Sequence, residues 1–133
     1  MSLTAYRAEW WTNPDAHNWS SAAHFLRLLW PPAAVRGVLA RLVEASLSGP
    51  APRWAAKDIL RAANLPALPM VNRHVHKDIE KIKAGEWLSP IIMVRHDGRL
   101  IIADGYHRVC ACYLMDENCE IPAVIEDLVS VDV

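Results

Sequence analysis

The stretch Ile101-Ile102-Ala103-Asp104-Gly105-Tyr106-His107-Arg108 runs from an apolar strand pattern through Asp-Gly straight into a helix that opens on His-Arg. A helix start carries unpaired backbone N–H groups and the positive end of the helix dipole, and together these favour an anion. Gly105 lets a ligand approach the backbone, because it has no Cβ. Arg108 can grip phosphate oxygens through parallel hydrogen bonds. His107 can donate to a phosphate or act as acid or base near neutral pH. Asp104 is suited to orient His107, to hold Mg²⁺ beside phosphates, or to activate a hydroxyl. Each residue also has a plain structural use: Asp104 as an N-cap, Gly105 as a turn, His107 and Arg108 as ordinary helix residues. An anion site is the one use that calls on all four at once.

The neighbouring segments supply the fold. Ile91–Arg95 and Leu100–Ala103 are β-rich runs joined by His96-Asp97-Gly98-Arg99, and the central Asp-Gly predicts a hairpin. A helix over about Tyr106–Met115 and a strand over Ile121–Ile125 should follow, with Leu128–Val133 a terminal strand or a tail. Upstream, Val75, Ile79 and Ile82 share one face of a helix over roughly Val75–Ala84 that closes at Gly85. Leu65–Val71 holds Pro66 and Pro69, so any strand there is short or at an edge. Trp54–Ala63 reads as a helix capped by Asn64. Gly49-Pro50-Ala51-Pro52 separates this half from a tryptophan-rich helical segment. In that segment Ser20 is the expected N-cap of a helix ended by Pro31-Pro32, and a second helix starts at Ala33 with Val35, Val38, Leu39, Leu42, Val43 and Leu47 as its apolar stripe. The order predicts an α/β domain, with α+β as the alternative: a small mixed sheet with packed helices over 51–133, and an N-terminal helical extension over 1–50 on the same core.

Bulk properties agree with one folded domain. The chain has 133 residues, is 53% hydrophobic and 22% charged, and carries a net charge of -1, within the range of about 100–150 residues usual for a domain. No apolar run approaches the roughly 18 residues of a membrane span, so no membrane partner is expected. The near-neutral total disfavours long nucleic acid as a partner. It is an average over unlike ends, however. Arg53, Lys57, Arg61, Arg73, Lys77, Lys81 and Lys83 outnumber the acids of residues 51–83, whereas Asp116, Glu117, Glu120, Glu126, Asp127 and Asp132 close the chain. Cys110, Cys112 and Cys119 are odd in number and read as small buried hydrophobes. Residues Met1–Trp11 have no apolar central run of a secretory signal, and a reducing, cytoplasmic setting is the expectation.

Pro90-Ile91-Ile92-Met93-Val94, the hairpin, Ala103-Asp104-Gly105-Tyr106-His107-Arg108, Ala111 and Ile121-Pro122-Ala123-Val124-Ile125 occur in an order that resembles the ParB/sulfiredoxin-like superfamily. The resemblance spans about Ile59–Ile125. It implies that the Gly105–Arg108 turn binds nucleotide phosphate, with ATP or CTP and Mg²⁺ as the cofactors, in a family whose members hydrolyse CTP, repair sulfinic acid with ATP or phosphorylate serine. Sulfiredoxins place a cysteine where this chain has Tyr106, which argues against that chemistry. Partition proteins follow an arginine-rich box with a DNA-reading region, and the residues after Arg108 are too few for one. The serine-kinase box differs from Asp104–Arg108 only at Tyr106, but the loop that would supply the catalytic glutamate, Asn72-Arg73-His74-Val75-His76-Lys77-Asp78, contains none.

That loop is the second cluster of interest. Arg73, His74, His76 and Lys77 gather donors at a helix start and would bind outer phosphates if the loop folds over the box; the bland alternative is a solvated basic face. His74 and His76 alone are too few for a metal centre. The expected site is therefore Asp104 and His107 for catalysis. Phosphate falls to Gly105, Tyr106, His107, Arg108, Arg73, His74, His76 and Lys77, and no metal ligands are assigned. The expected function is binding of a small nucleotide or phosphorylated ligand, with nucleotide hydrolysis or phosphoryl transfer if the protein is an enzyme. A noncatalytic protein-interaction module, with a homodimer as one form, and a DNA-associated or nuclease-like domain are the alternatives.

Overall fold

The computed structural model describes residues 3–129. After a 3-10 turn at Leu3–Ala5 come β1 (Glu9–Trp10), α1 (Ala16–Leu26), α2 (Pro32–Leu47), β2 (Arg53–Ala55), α3 (Ala56–Ala63) and α4 (Arg73–Lys83). The chain continues with β3 (Trp87–Leu88), β4 (Ile91–His96), β5 (Arg99–Asp104), α5 (Tyr106–Met115) and β6 (Glu120–Asp127). Among the described residues, five helices on mixed sheets make this an α/β fold. The main sheet has four strands in the order β2-β6-β4-β5. β4 and β6 are parallel, and the outer pairs β2/β6 and β4/β5 are antiparallel. A parallel pair needs a crossover, and here β5 and α5 provide it.

Side chains alternate across β4. Ile91 and Met93 enter a core with Ile59, Ile79, Val109 and Ile121, under α3, α4 and α5. Ile92 and Val94 enter a second core with Leu26, Val35, Val38 and Leu42, under α1 and α2. Burial of both faces explains why Ile91–Val94 is a continuous apolar run rather than an alternating one. The N-terminal helices thus cover the opposite face of the same sheet.

Local chemistry sets most boundaries. Asp97 (φ 54°) and Gly98 (φ 75°) both adopt positive φ, the backbone of a tight hairpin turn. Asn64 closes α3 in the left-handed conformation (φ 55°), and Asn72 caps α4 by accepting from the amides of His74 and Val75. Other boundaries differ from those expected. The first helix begins at Ala16, five positions before an N-cap at Ser20 would allow, because Asp15 and Asn18 accept each other's backbone N–H in a capping box. Trp54 and Ala55 extend β2 against Ile121 and Glu120 rather than opening a helix. Leu65–Val71 forms no strand, and its loop is tied down by Leu68 N–H donating to Cys110 Sγ. The parallel pairing of β1 with β3, Glu9 to Trp87 and Trp10 to Leu88, carries no sequence signal at two residues apiece. Of the expected terminal strand or tail, Leu128 and Val129 lie outside any strand, and residues 130–133 fall outside the described region.

Leu42 is fully buried where α2 meets the sheet. Leu42→Ala is expected to cost about 2–5 kcal/mol in urea unfolding, with the transition still single. A variant that melts α1 and α2 ahead of the sheet would show that these helices are not integral to the core.

Candidate functional site

β5 delivers its last residue through an irregularity. Ile92 pairs with Asp104 but Met93 pairs with Ile102, so Ala103 is an extra residue on β5. Such bulges bend a strand and re-aim the residues beyond them. Gly105 comes next, at φ 114°, a conformation that disfavours any side chain. A Cβ there would also collide with the Ile91 side chain, at 2.8 Å from its Cβ, and would lie 2.9 Å from Arg108 Nη2. α5 starts immediately after and has no side-chain cap. Its first turn therefore opens with the amides of Tyr106, His107 and Arg108 unclaimed by the helix itself, since Val109 N–H is the donor that reaches Gly105 O.

The charges around this turn are partly paired. Arg108 Nη2 donates to Asp104 Oδ2 at 2.8 Å, both side chains being largely buried. Asp104 therefore pairs one turn along α5 rather than capping the helix. Arg108 Nε is buried and has no hydrogen-bond partner among the described residues. The His74 and His107 rings stack with centroids 4.7 Å apart. Burial lowers the His107 pKa from its usual 6.5, and the neighbouring His74 adds to this, so the site favours the neutral ring. Asp78 on α4 moves the other way. Burial raises its carboxyl above 3.8, against the pull of Arg108, Lys81, His107 and Lys77.

These groups line a cleft of about 570 Å³ between α1, α4, β3 and the start of α5. Of the residues expected from sequence, it brings together Asp104, Gly105, His107, Arg108, His74 and Lys77. Arg73 and His76 are exposed elsewhere on α4, and neither lines the cleft. Tyr106 also points away, its hydroxyl donating to Pro66 O. Helical spacing accounts for the division on α4: His74, Lys77, Asp78 and Lys81 stand at i, i+3, i+4 and i+7, one face of the helix. Asp78 and Lys81 were therefore within reach of helical periodicity. Trp11, Asp15, His17, Asn18 and Ser21, which wall the cleft from the N-terminal segment, and Trp87 were not, since no motif ties them to the Gly105 turn. Among the described residues no three His, Cys, Asp or Glu side chains are grouped to hold a metal ion.

Two titratable groups displaced in opposite directions within one cleft are a recurring mark of acid–base sites. Amides at the end of a strand, a neutral histidine, a carboxyl of raised pKa and nearby lysines can together bind an anionic group and move a proton beside it. A second cavity, about 540 Å³, lies between α3 and the β4–β5 hairpin and is walled by Trp54, Ile59, Met93 and Leu100. It shares no residue with the cleft. No helix of the described residues is long and apolar enough to cross a membrane. No protein-family model, curated protein or solved structure matches the chain.

Gly105→Ala should be destabilised by about 2–4 kcal/mol, because backbone strain adds to displacement of Ile91, whereas Gly98→Ala meets open space and bears the strain alone. Comparative urea unfolding checks the difference. For Asp78, the folded chain holds the proton more tightly than the unfolded one, so stability falls as pH rises from 3.8 through the raised value. Asp78→Asn is expected to melt above the wild type at neutral pH, with the gap closing below about pH 4. A gap independent of pH in a melting series would contradict this.

Proposed function

We propose that the cleft binds the phosphate groups of a small nucleotide or similar phosphorylated molecule. The observation that carries this reading is the uncapped N-terminus of α5, set behind the positive-φ Gly105 and opening into a cleft with His74, Lys77 and Lys81 on the facing helix. Amides and helix dipole favour an anion there, and the facing cations add to the field. Arg108 contributes as a positioned neighbour, because one of its nitrogens is already committed to Asp104. Its unpartnered Nε remains a donor in reserve. The order of strands, box and helix that resembles the ParB/sulfiredoxin-like superfamily supports the same ligand class. ATP or CTP with Mg²⁺ is the form proposed.

Mg²⁺ is commonly held by one or two carboxylates together with substrate phosphates, and Asp104, which lines the cleft, is the carboxylate proposed for it. If a reaction takes place, neutral His107 and Asp78 are the groups placed to accept and return a proton, and hydrolysis or phosphoryl transfer is the matching class. Asp78 in that role goes beyond the assignment of Asp104 and His107 alone.

The second reading, a noncatalytic interaction module, draws on Phe25 in the last turn of α1 and Leu28 and Leu29 in the turn after it, which stand 41%, 83% and 47% exposed. An exposed apolar cluster of this kind suits a protein partner or a homodimer.

Isothermal titration of the full chain with ATP and with CTP, each with Mg²⁺, tests the proposal. Binding is expected for the wild type, weakened about tenfold or more in Lys77→Ala through loss of a charge-assisted hydrogen bond. No heat from either nucleotide with the wild type overturns it.

A further inference from the structure

Trp11 and Trp87 stand together on the wall of the cleft, 56% and 50% exposed, with ring centroids 4.9 Å apart and planes tilted by 49°. The neighbouring Trp10 and Leu88 are buried in the core, so the pleat that anchors β1 and β3 is the same pleat that turns these two indoles outward. The pair is held from behind by the parallel β1–β3 bridge and by Trp11 N–H donating to Leu88 O at 2.8 Å. These backbone contacts fix where the two indoles emerge, side by side on the wall of the cleft.

Its position gives the surface a use. Trp87 is four residues before Ile91, whose side chain packs against Gly105, and four residues of chain span at most about 14 Å. A ligand with phosphates at the α5 amides therefore has its other end within reach of the indoles. A tilted pair leaves ring faces open, and an open indole face binds flat, π-bearing groups of any identity. We infer that Trp11 and Trp87 form a stacking subsite for the base of the nucleotide, so that the cleft selects nucleotides over bare polyphosphates. The inference rests on the phosphate-binding reading. It assigns the tryptophan-rich N-terminal segment a direct part in ligand recognition.

The test compares ATP, CTP and inorganic tripolyphosphate, each with Mg²⁺, by isothermal titration against the full chain. At least one nucleotide is expected to bind about tenfold or more tighter than tripolyphosphate, the size of one base–aromatic stack. Trp87→Ala and Trp11→Ala should lose that advantage and keep the wild-type affinity for tripolyphosphate, and Trp87→Phe should restore part of it. Trp54→Ala, at an exposed tryptophan of the other cavity, should bind like the wild type. Equal affinities for nucleotide and tripolyphosphate overturn the stacking subsite and leave the phosphate reading standing. Wild-type nucleotide affinity in both alanine variants does the same. Failure of all three compounds to bind overturns the phosphate reading and the subsite together.

Discussion

Gly105 lies against the Ile91 side chain with no room for a Cβ between them, and the arrangement of the cleft depends on that contact. Ile91 begins the central strand β4, so its position is set by the core on one face of the sheet. Packing the Gly105 backbone directly onto it brings the start of α5 to the end of the sheet at the closest distance a chain allows. The extra residue at Ala103 turns β5 into that approach. A left-handed backbone at Gly105 then lets the helix start without an intervening loop. Strand, turn and helix are thereby rigidly joined, which is what a site needs if its amides are to stay aimed at one point.

The sheet makes the second contribution through burial of both its faces. Ile92 and Val94 need α1 and α2 as much as Ile91 and Met93 need α3, α4 and α5. Covering the second face brings the start of α1, with Asp15, Asn18 and Ser21, to the mouth of the cleft opposite α4. The N-terminal segment consequently serves packing and site at once. Its short β1 strand reaches across to β3 and fixes Trp11 beside Trp87.

Within the cleft the electrostatics are balanced rather than simply basic. Asp104 neutralises much of Arg108, and a pair this buried is costly to break even where its net stabilisation is small. Asp78 is held partly protonatable by burial while His107 is held neutral. The amides of α5 and the lysines of α4 are left as the positive features facing a ligand. These positive features are few and lie together at one cleft, in a chain whose net charge is -1.

The hairpin around Asp97-Gly98, the helix over Tyr106–Met115 and the cap at Asn64 were legible in the sequence, because each depends on neighbours within a few residues. So was the grouping of Asp104, Gly105, His107 and Arg108, which lie within five consecutive positions. Asn18 as the partner of Asp15 was equally local but was hidden by the competing cap at Ser20. Tertiary structure alone decided that His74 and Lys77 face the turn while Arg73 and His76 do not, that Tyr106 leaves the cleft for Pro66, and that Trp11 meets Trp87. Local patterns follow from backbone geometry and side-chain period, which each segment carries within itself. The facing of distant segments follows from which apolar surfaces must be buried together, and that is a property of the whole chain.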